Sequence, residues 1–346
     1  MLSAKTKGLF VEAGRFGLTV AVTSSCQPPF VVEKTVRVSP DLGRDKVRDL
    51  VLECGGVKKM KYARAVVGVY PQSRFVHRFS AETPAKLKEP NYLEEAIRGQ
   101  LGVDLTTALA SVVSAADGLP FDPAKSLAAQ RDLVVCGASI AELGKRQTEL
   151  QESGIYPLRM EMCSLSMLGA VLSLAKYAAV KRPVLLLEVD TDTTFVHIVS
   201  QDRVEFCRMV PMGLDSMLPI LAGELGMKDE NAARNMLYAN TFDFTEMGQT
   251  LLGKLIKDVR ATTGLFEVQT GQSIGSLCLH MVTPGLAWVG QSISKALSLE
   301  PVATDFRPWL ETRGVKLSDT VAHDPNPGSL MGVVSLMLNL EPAKEA

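Results

Sequence analysis

Two similar stretches half a chain apart constrain this sequence more than any other feature. Residues 184–187 are four apolar β-formers, a length suited to a buried strand. Glu188-Val189-Asp190-Thr191-Asp192-Thr193-Thr194 follows as a turn of acids and hydroxyls. Residues 195–199 resume the strand, Ser200-Gln201-Asp202 turn the chain again, and residues 204–210 give a third strand. Near the N-terminus stands LFVEAGRFGLTVAV, residues 9–22. Laying Leu9 on Leu185 pairs Glu12 with Glu188 and Gly14 with Asp190, an offset of 176 (188 less 12) in a chain of 346. A strand–acidic turn–strand holds carboxylates, hydroxyls and backbone N–H groups at one edge of a sheet, where a phosphate–metal group can bind. A single copy reads equally well as an ordinary β-meander with solvated turns. Two copies favour a two-lobed molecule with a cleft, each lobe offering one acidic turn.

Length agrees, because 346 residues exceed one typical core. With 46 % hydrophobic and 22 % charged residues, the composition is that of a folded globular protein. The formal charge of −1 gives no electrostatic reason to expect nucleic acid or anionic lipid as a partner. Cys26, Cys54, Cys136, Cys163, Cys207 and Cys278 are scattered without a C-x-x-C pair, which reads as small core residues in a reducing compartment. His77, His197, His280 and His323 have no metal-ligand spacing, and His197 reads as a structural mid-strand histidine. MLSAKTKGLF lacks the apolar run of a signal peptide. Residues 165–180 and 330–340 fall short of the roughly 20 needed to span a bilayer. A cytoplasmic protein is expected, with any membrane association arising through a partner and no direct insertion.

In chain order, the pattern predicts a strand over 30–38, an amphipathic helix over 41–53, and strands over 63–70 and 74–79. A polar connector over 80–90 leads to a helix over 92–101. Strands follow over 112–116 and 132–138, then a helix over 139–153 with Ser139 as N-cap and Glu142 completing a capping box. Residues 155–162 return as a strand and 164–180 as an apolar helix. Past the central hairpins, helices are expected over 214–225, 229–236 and, as one long element, 248–268. A strand over 275–282, a helix over 286–299, an edge strand over 301–306 and a closing helix over 329–340 complete the chain.

This order of elements resembles the PilM-like, actin-fold family of type IV pilus assembly, with its relatives in the FtsA branch and in type II secretion. LFVEAGRFGLTV is similar to that family's first phosphate hairpin. ARAVVGVYPQSRFVHRF resembles the strand entering its inserted subdomain, and RDLVVCGASIAELGKRQTELQESGIYPLRMEMCSLSMLGAV the return from it. LLLEVDTDTTFVHIVSQDRVEFCRMVPMG resembles the second phosphate hairpin. PGLAWVGQSISKALSLEPVATDF and PGSLMGVVSLML resemble the last strand–helix–strand and the closing helix. The resemblance implies an α/β, two-lobed actin-like ATPase fold with an inserted α+β subdomain in the first lobe. The first lobe would comprise 1–73, 156–182 and 325–346, the inserted partner-binding subdomain 74–155, and the second lobe 183–324.

Departures from the family pattern bear on function. Its hairpins carry Asp-x-Gly, matched here by Glu12-Ala13-Gly14 and Glu188-Val189-Asp190. Glutamate is one methylene longer, which displaces a positioned carboxylate beyond catalytic tolerance. Asp190 puts a negative charge where phosphate oxygens would sit, a repulsion of roughly 4 kcal/mol at about 4 Å in a partly buried site. Thr19 stands where the family has a lysine, and Arg15 occupies the turn beside it. The glycine run that cradles adenosine is matched by Cys278-Leu279-His280-Met281-Val282, with no glycine before Gly285. Thr193 and Thr194 keep the family's hydroxyls, and Asp192 lies between the turn's threonines.

The resemblance therefore implies a cytoplasmic scaffold of a pilus or type II secretion platform, not an enzyme. It would be recruited to the inner membrane by the cytoplasmic N-terminal tail of a PilN-like bitopic protein bound at 74–155 and the adjoining first lobe. No cofactor is required on this reading, nucleic acid is not a partner, and self-association is left open. The alternatives are an ATP/Mg-binding relative in which Glu12 and Glu188 replace the aspartates, a sugar kinase of the same superfold, and an FtsA-like tether. That tether would end in an amphipathic membrane helix, which EPAKEA is not.

Overall fold

β1 (Gly8–Gly14) and β2 (Gly17–Thr23) form the N-terminal hairpin in the computed structural model, paired antiparallel with Glu12 opposite Thr19 and Gly14 opposite Gly17. Arg15 and Phe16 alone make the turn. Gly17 has φ +114°, and a side chain there would run into the Val38 carbonyl, so glycine is required. The structure describes residues 7–89, 91–122, 131–239, 242–282, 284–302, 305–323 and 330–338. They divide into one unit of residues 1–170 with 305–346 and another of 171–304.

The first unit continues with β3 (Phe30–Val38), α1 (Arg44–Cys54), β4 (Ala63–Val69), β5 (Phe75–Ser80), α2 (Tyr92–Leu101), β6 (Ala108–Ser114), β7 (Asp132–Ser139), α3 (Ile140–Glu152), β8 (Ile155–Met162) and α4 (Cys163–Tyr177). The boundary between the units falls within α4. The second unit holds β9 (Val184–Val189), β10 (Thr194–Val199), β11 (Val204–Val210), α5 (Leu218–Glu224), α6 (Glu230–Ala239), α7 (Gly248–Leu251), α8 (Gly253–Thr270), β12 (Ser276–His280), α9 (Ala287–Leu297) and β13 (Glu300–Pro301). The chain then gives α10 (Arg307–Thr312), β14 (Val315–Leu317), α11 (Asp319–Ala322) and α12 (Met331–Leu338) to the first unit.

Strand order makes the duplication explicit. The sheet of the first unit runs β14-β3-β2-β1-β4-β8 and that of the second β11-β10-β9-β12-β13. Apart from β14, each is a three-strand antiparallel meander whose first strand also pairs in parallel with a later one. The hairpins superpose in register as well, since Glu12 faces Thr19 and Glu188 faces Phe195, both at the offset of 176 read from the sequence. β1 and β9 are central strands covered on both faces, which is why both read as near-continuous apolar runs.

In the first unit one face of the sheet packs Leu9, Val11, Val20, Val22, Ala65 and Val67 against Val47 and Val51 of α1. Each such valine or leucine, fully buried, contributes roughly 1.5–3 kcal/mol. The two α1 valines recur at four-residue spacing, which places them on one helix face. The segment between β4 and β8 builds a separate three-stranded sheet, β5-β7-β6. Phe79, Leu133 and Val135 there pack with Leu87 and with Ile97 of α2.

Several expected elements differ. Ser139 makes no capping bond to α3. The Glu142 carboxylate instead accepts the Gln72 N–H at 2.7 Å, the Ser73 N–H at 2.9 Å and the Ser73 hydroxyl at 2.5 Å, and Ser73 Oγ accepts the Ser139 N–H at 3.0 Å. The acid expected to cap its own helix thus ties together the two points where the chain enters and leaves the three-stranded sheet. Expected helix 248–268 is two helices broken at Leu252, and 214–225 is a 3-10 turn over Leu214–Met217 followed by α5. The edge strand expected over 301–306 shortens to β13, with residues 303 and 304 outside the described set. The second lobe was expected to extend to 324, but β14 pairs in parallel with β3, so this segment joins the first sheet. Residues 339 and 340 of the expected closing helix lie outside the described residues, as does 329.

Candidate functional site

Glu12 sits at the end of the apolar run of β1, buried to 9 % exposure. Its neighbours come from distant sequence. The Tyr70 hydroxyl, just past β4, donates to Glu12 Oε1 at 2.9 Å. Gly332 in the first turn of α12 lies so close that a β-carbon there would overlap the carboxyl carbon and both oxygens. A carboxylate against the first turn of a helix is favourably placed toward the N-terminal end of its dipole. Glu12 therefore joins β1, the end of β4 and the closing helix. Arg15 is exposed at the hairpin tip, Gly14 closes the turn opposite Gly17, and Thr19 lies cross-strand from Glu12.

The second turn is also closed upon its own unit. The Asp190 N–H donates to the Thr193 carbonyl at 2.9 Å, and Asp190 Oδ1 accepts the Thr191 N–H at 2.8 Å. The segment after β11 then seals it: Leu214 N–H donates to the Asp190 carbonyl and Asp215 N–H to that of Thr191, at 2.9 and 2.7 Å. Thr194 Oγ1 donates to the Met212 carbonyl at 2.7 Å. Gly213 allows this approach, because a β-carbon there would collide with the backbone of residues 190–192. Asp215 is held in turn by Arg234 Nη1 at 2.6 Å and the Tyr238 hydroxyl at 3.0 Å. Asp190, Thr191 and Thr194 are buried, and Asp192 is exposed.

Glu188 is fully buried and stands in register with His280 of β12. Cys278, two residues earlier, has its thiol pushed up to about 12, first by burial and then by the Glu188 charge. Past β12, Met281 has φ +66°, a left-handed conformation that favours glycine. The backbone bend of a glycine-bearing loop is thus present at a position occupied by methionine. Gly285 lies in the 3-10 turn Pro284–Leu286 that precedes α9.

Each hairpin's expected residues are brought together within its own unit. Tyr70, Gly213 and Gly332 were not singled out from sequence; the only signal was the placement of Gly213 and Gly332 beside the Pro-Met and Leu-Met steps that open the following helices. Among the described residues, no cluster of three or more His, Cys, Asp or Glu is arranged to hold a metal ion. No helix among them is long and apolar enough to cross a membrane.

No protein-family model matches the chain, and no curated protein sequence matches it. A chain of the PilM–PilN type IV pilus biogenesis complex is similar in structure, with TM-score 0.66 at 14 % identity, covering 97 % of this chain and 98 % of that one. A Bacteroides thetaiotaomicron protein of unknown function with an actin-like ATPase fold aligns at TM-score 0.45 and 10 % identity over 99 % and 100 % of the two chains. The cytoplasmic domain of EpsL, an inner-membrane component of the Vibrio cholerae type II secretion system, aligns at TM-score 0.36 and 14 % identity over 62 % and 74 %. The chain has the actin-like ATPase fold, of the form seen in the pilus complex.

Proposed function

We propose that this protein is a scaffold of a pilus- or secretion-type inner-membrane platform that works without nucleotide turnover. The supporting observation is that the groups expected to handle a nucleotide already act as internal structure. Glu12 is engaged by Tyr70 and packed on Gly332. Asp190 accepts the Thr191 N–H, and the Thr194 hydroxyl is given to Met212. A magnesium–triphosphate at the second hairpin would have to open the Thr194–Met212 bond and lie against the Asp190 carboxylate, so the residues present there do not fit that group. Isothermal calorimetry with ATP and magnesium tests this, with no measurable heat expected. Micromolar binding, or hydrolysis above background, would overturn it.

The partner on this reading is the cytoplasmic N-terminal tail of a PilN-like bitopic membrane protein, which recruits the scaffold from the cytoplasm to the inner membrane. Its site is assigned to residues 74–155 and the adjoining first-unit surface. An extended tail would dock by main-chain hydrogen bonds at a strand edge, with side-chain pockets setting register. A pull-down with the N-terminal tail of such a bitopic protein should succeed with wild type and with Glu188→Lys/Asp190→Lys protein. Loss of binding in the charge-reversed protein, provided that it remains folded, would move the site to the acidic turn.

A further inference from the structure

We propose that the loop of residues 57–62, with the adjoining ends of β4 and β8, is a docking surface for the headgroup layer of an anionic lipid bilayer. The chain's formal charge of −1 conceals a local asymmetry: residues 58–64, KKMKYAR, hold four cations and no acid. Lys58, Lys59, Lys61 and Arg64 are all exposed. Lys58 lies 3.5 Å from Glu53, a pair solvated on both sides that contributes little in water.

Apolar side chains are interleaved with these cations. Met60 is 62 % exposed, Leu158 53 % and Tyr156 43 %. The Tyr62 and Tyr156 rings lie 6.2 Å apart, with Lys61 Nζ 5.0 Å from the centre of the Tyr62 ring. Arg64 stands opposite Tyr156 in the β4–β8 register, which places the two sets on one surface of the first unit. A bilayer interface accommodates both kinds of group. Lysine and arginine meet the lipid phosphates, tyrosine rests at headgroup level, and methionine or leucine enters the acyl boundary. Nucleic acid would satisfy the cations and stack on the tyrosines, but would leave Met60 and Leu158 in water. An added peptide strand is disfavoured at this end of β8, because Pro157 removes a donor and the register shift leaves Leu158 as an extra residue. One such patch binds weakly and reversibly, as the second of two contacts that stable attachment needs.

The test is co-sedimentation of the full chain, without any partner, with vesicles of neutral phosphatidylcholine and with vesicles that also contain phosphatidylglycerol. Binding is expected only to the anionic vesicles, weakening as salt shortens the screening length. Lys58→Gln/Lys59→Gln/Lys61→Gln should lower the partition coefficient on the order of a hundredfold, at about fivefold per cation. Met60→Ser should lower it severalfold at constant charge, while Lys254→Gln/Lys257→Gln, on α8, should leave it unchanged. Absence of binding to anionic vesicles would overturn the proposal, as would equal losses from the α8 variant. Unchanged binding by Met60→Ser together with retention on single-stranded DNA would instead identify a nucleic-acid surface. Because no partner is present, none of these outcomes bears on the tail-binding reading.

Discussion

Replacing Gly332 by alanine tests the closure of α12 on β1, because two opposing effects predict opposite signs. In a helix, alanine is preferred over glycine by up to about 1 kcal/mol, so on propensity alone the change stabilises. In this fold, the new methyl would overlap the whole Glu12 carboxyl group. That group is buried and held by Tyr70, and it has little room to retreat. Overpacking of this kind costs about 1–3 kcal/mol, and breaking the bond to the Tyr70 hydroxyl adds to it. A net loss of about 1–2 kcal/mol is expected from urea unfolding followed by circular dichroism. The decisive measurement repeats the substitution in a Glu12→Ala background. With the carboxyl removed, propensity should prevail and the same Gly332→Ala change should stabilise by a few tenths to about 1 kcal/mol. Equal losses in both backgrounds would show that Glu12 and Gly332 are not coupled, and would refute the structural role given to this glutamate.

Three further outcomes follow from particular contacts. Gly213→Ala should cost several kcal/mol and abolish cooperative unfolding of the second unit, because its β-carbon would meet backbone rather than a movable side chain; an unchanged thermal midpoint would contradict this. Burial alone would raise the Glu142 pKa, but hydrogen bonds from Ser73 and Gln72, with help from Arg146, outweigh it and hold it below 4.5. A depressed folded pKa stabilises above the unfolded value, so Glu142→Gln should cost about 1 kcal/mol at neutral pH, with the gap to wild type closing as pH falls below 4.5. In native protein at pH 8, a chromogenic disulfide reagent should titrate the exposed Cys26 rapidly. The half-buried Cys278 should stay unreactive, since its thiol is pushed up to about 12; fast modification of Cys278 would contradict its placement beside Glu188 in the sheet.

Local pattern carried the duplicated plan. A short turn between apolar runs sets its own register, so Glu12 and Glu188 could be matched at an offset of 176 before any contact was known. What those residues do was decided by tertiary contact. The Tyr70 hydroxyl that engages Glu12 lies 58 residues away, and Gly332 comes from the other end of the chain. Ser139 and Glu142 have capping-box spacing, yet the acid took its three donors from Gln72 and Ser73, where the chain enters the three-stranded sheet, and not from its own helix. β14 is only three residues long, too short for a periodic signal, and joined the first sheet because the β3 edge was open to it. Net charge, a property of the whole sequence, gave no hint of the basic surface at 58–64. The β4–β8 register sets Arg64 beside Tyr156, some ninety positions apart in the chain. Periodicity and turn chemistry act over a few residues and can be read directly. Which distant group meets a buried carboxylate, or which exposed side chains share a face, is fixed only when the sheets are assembled.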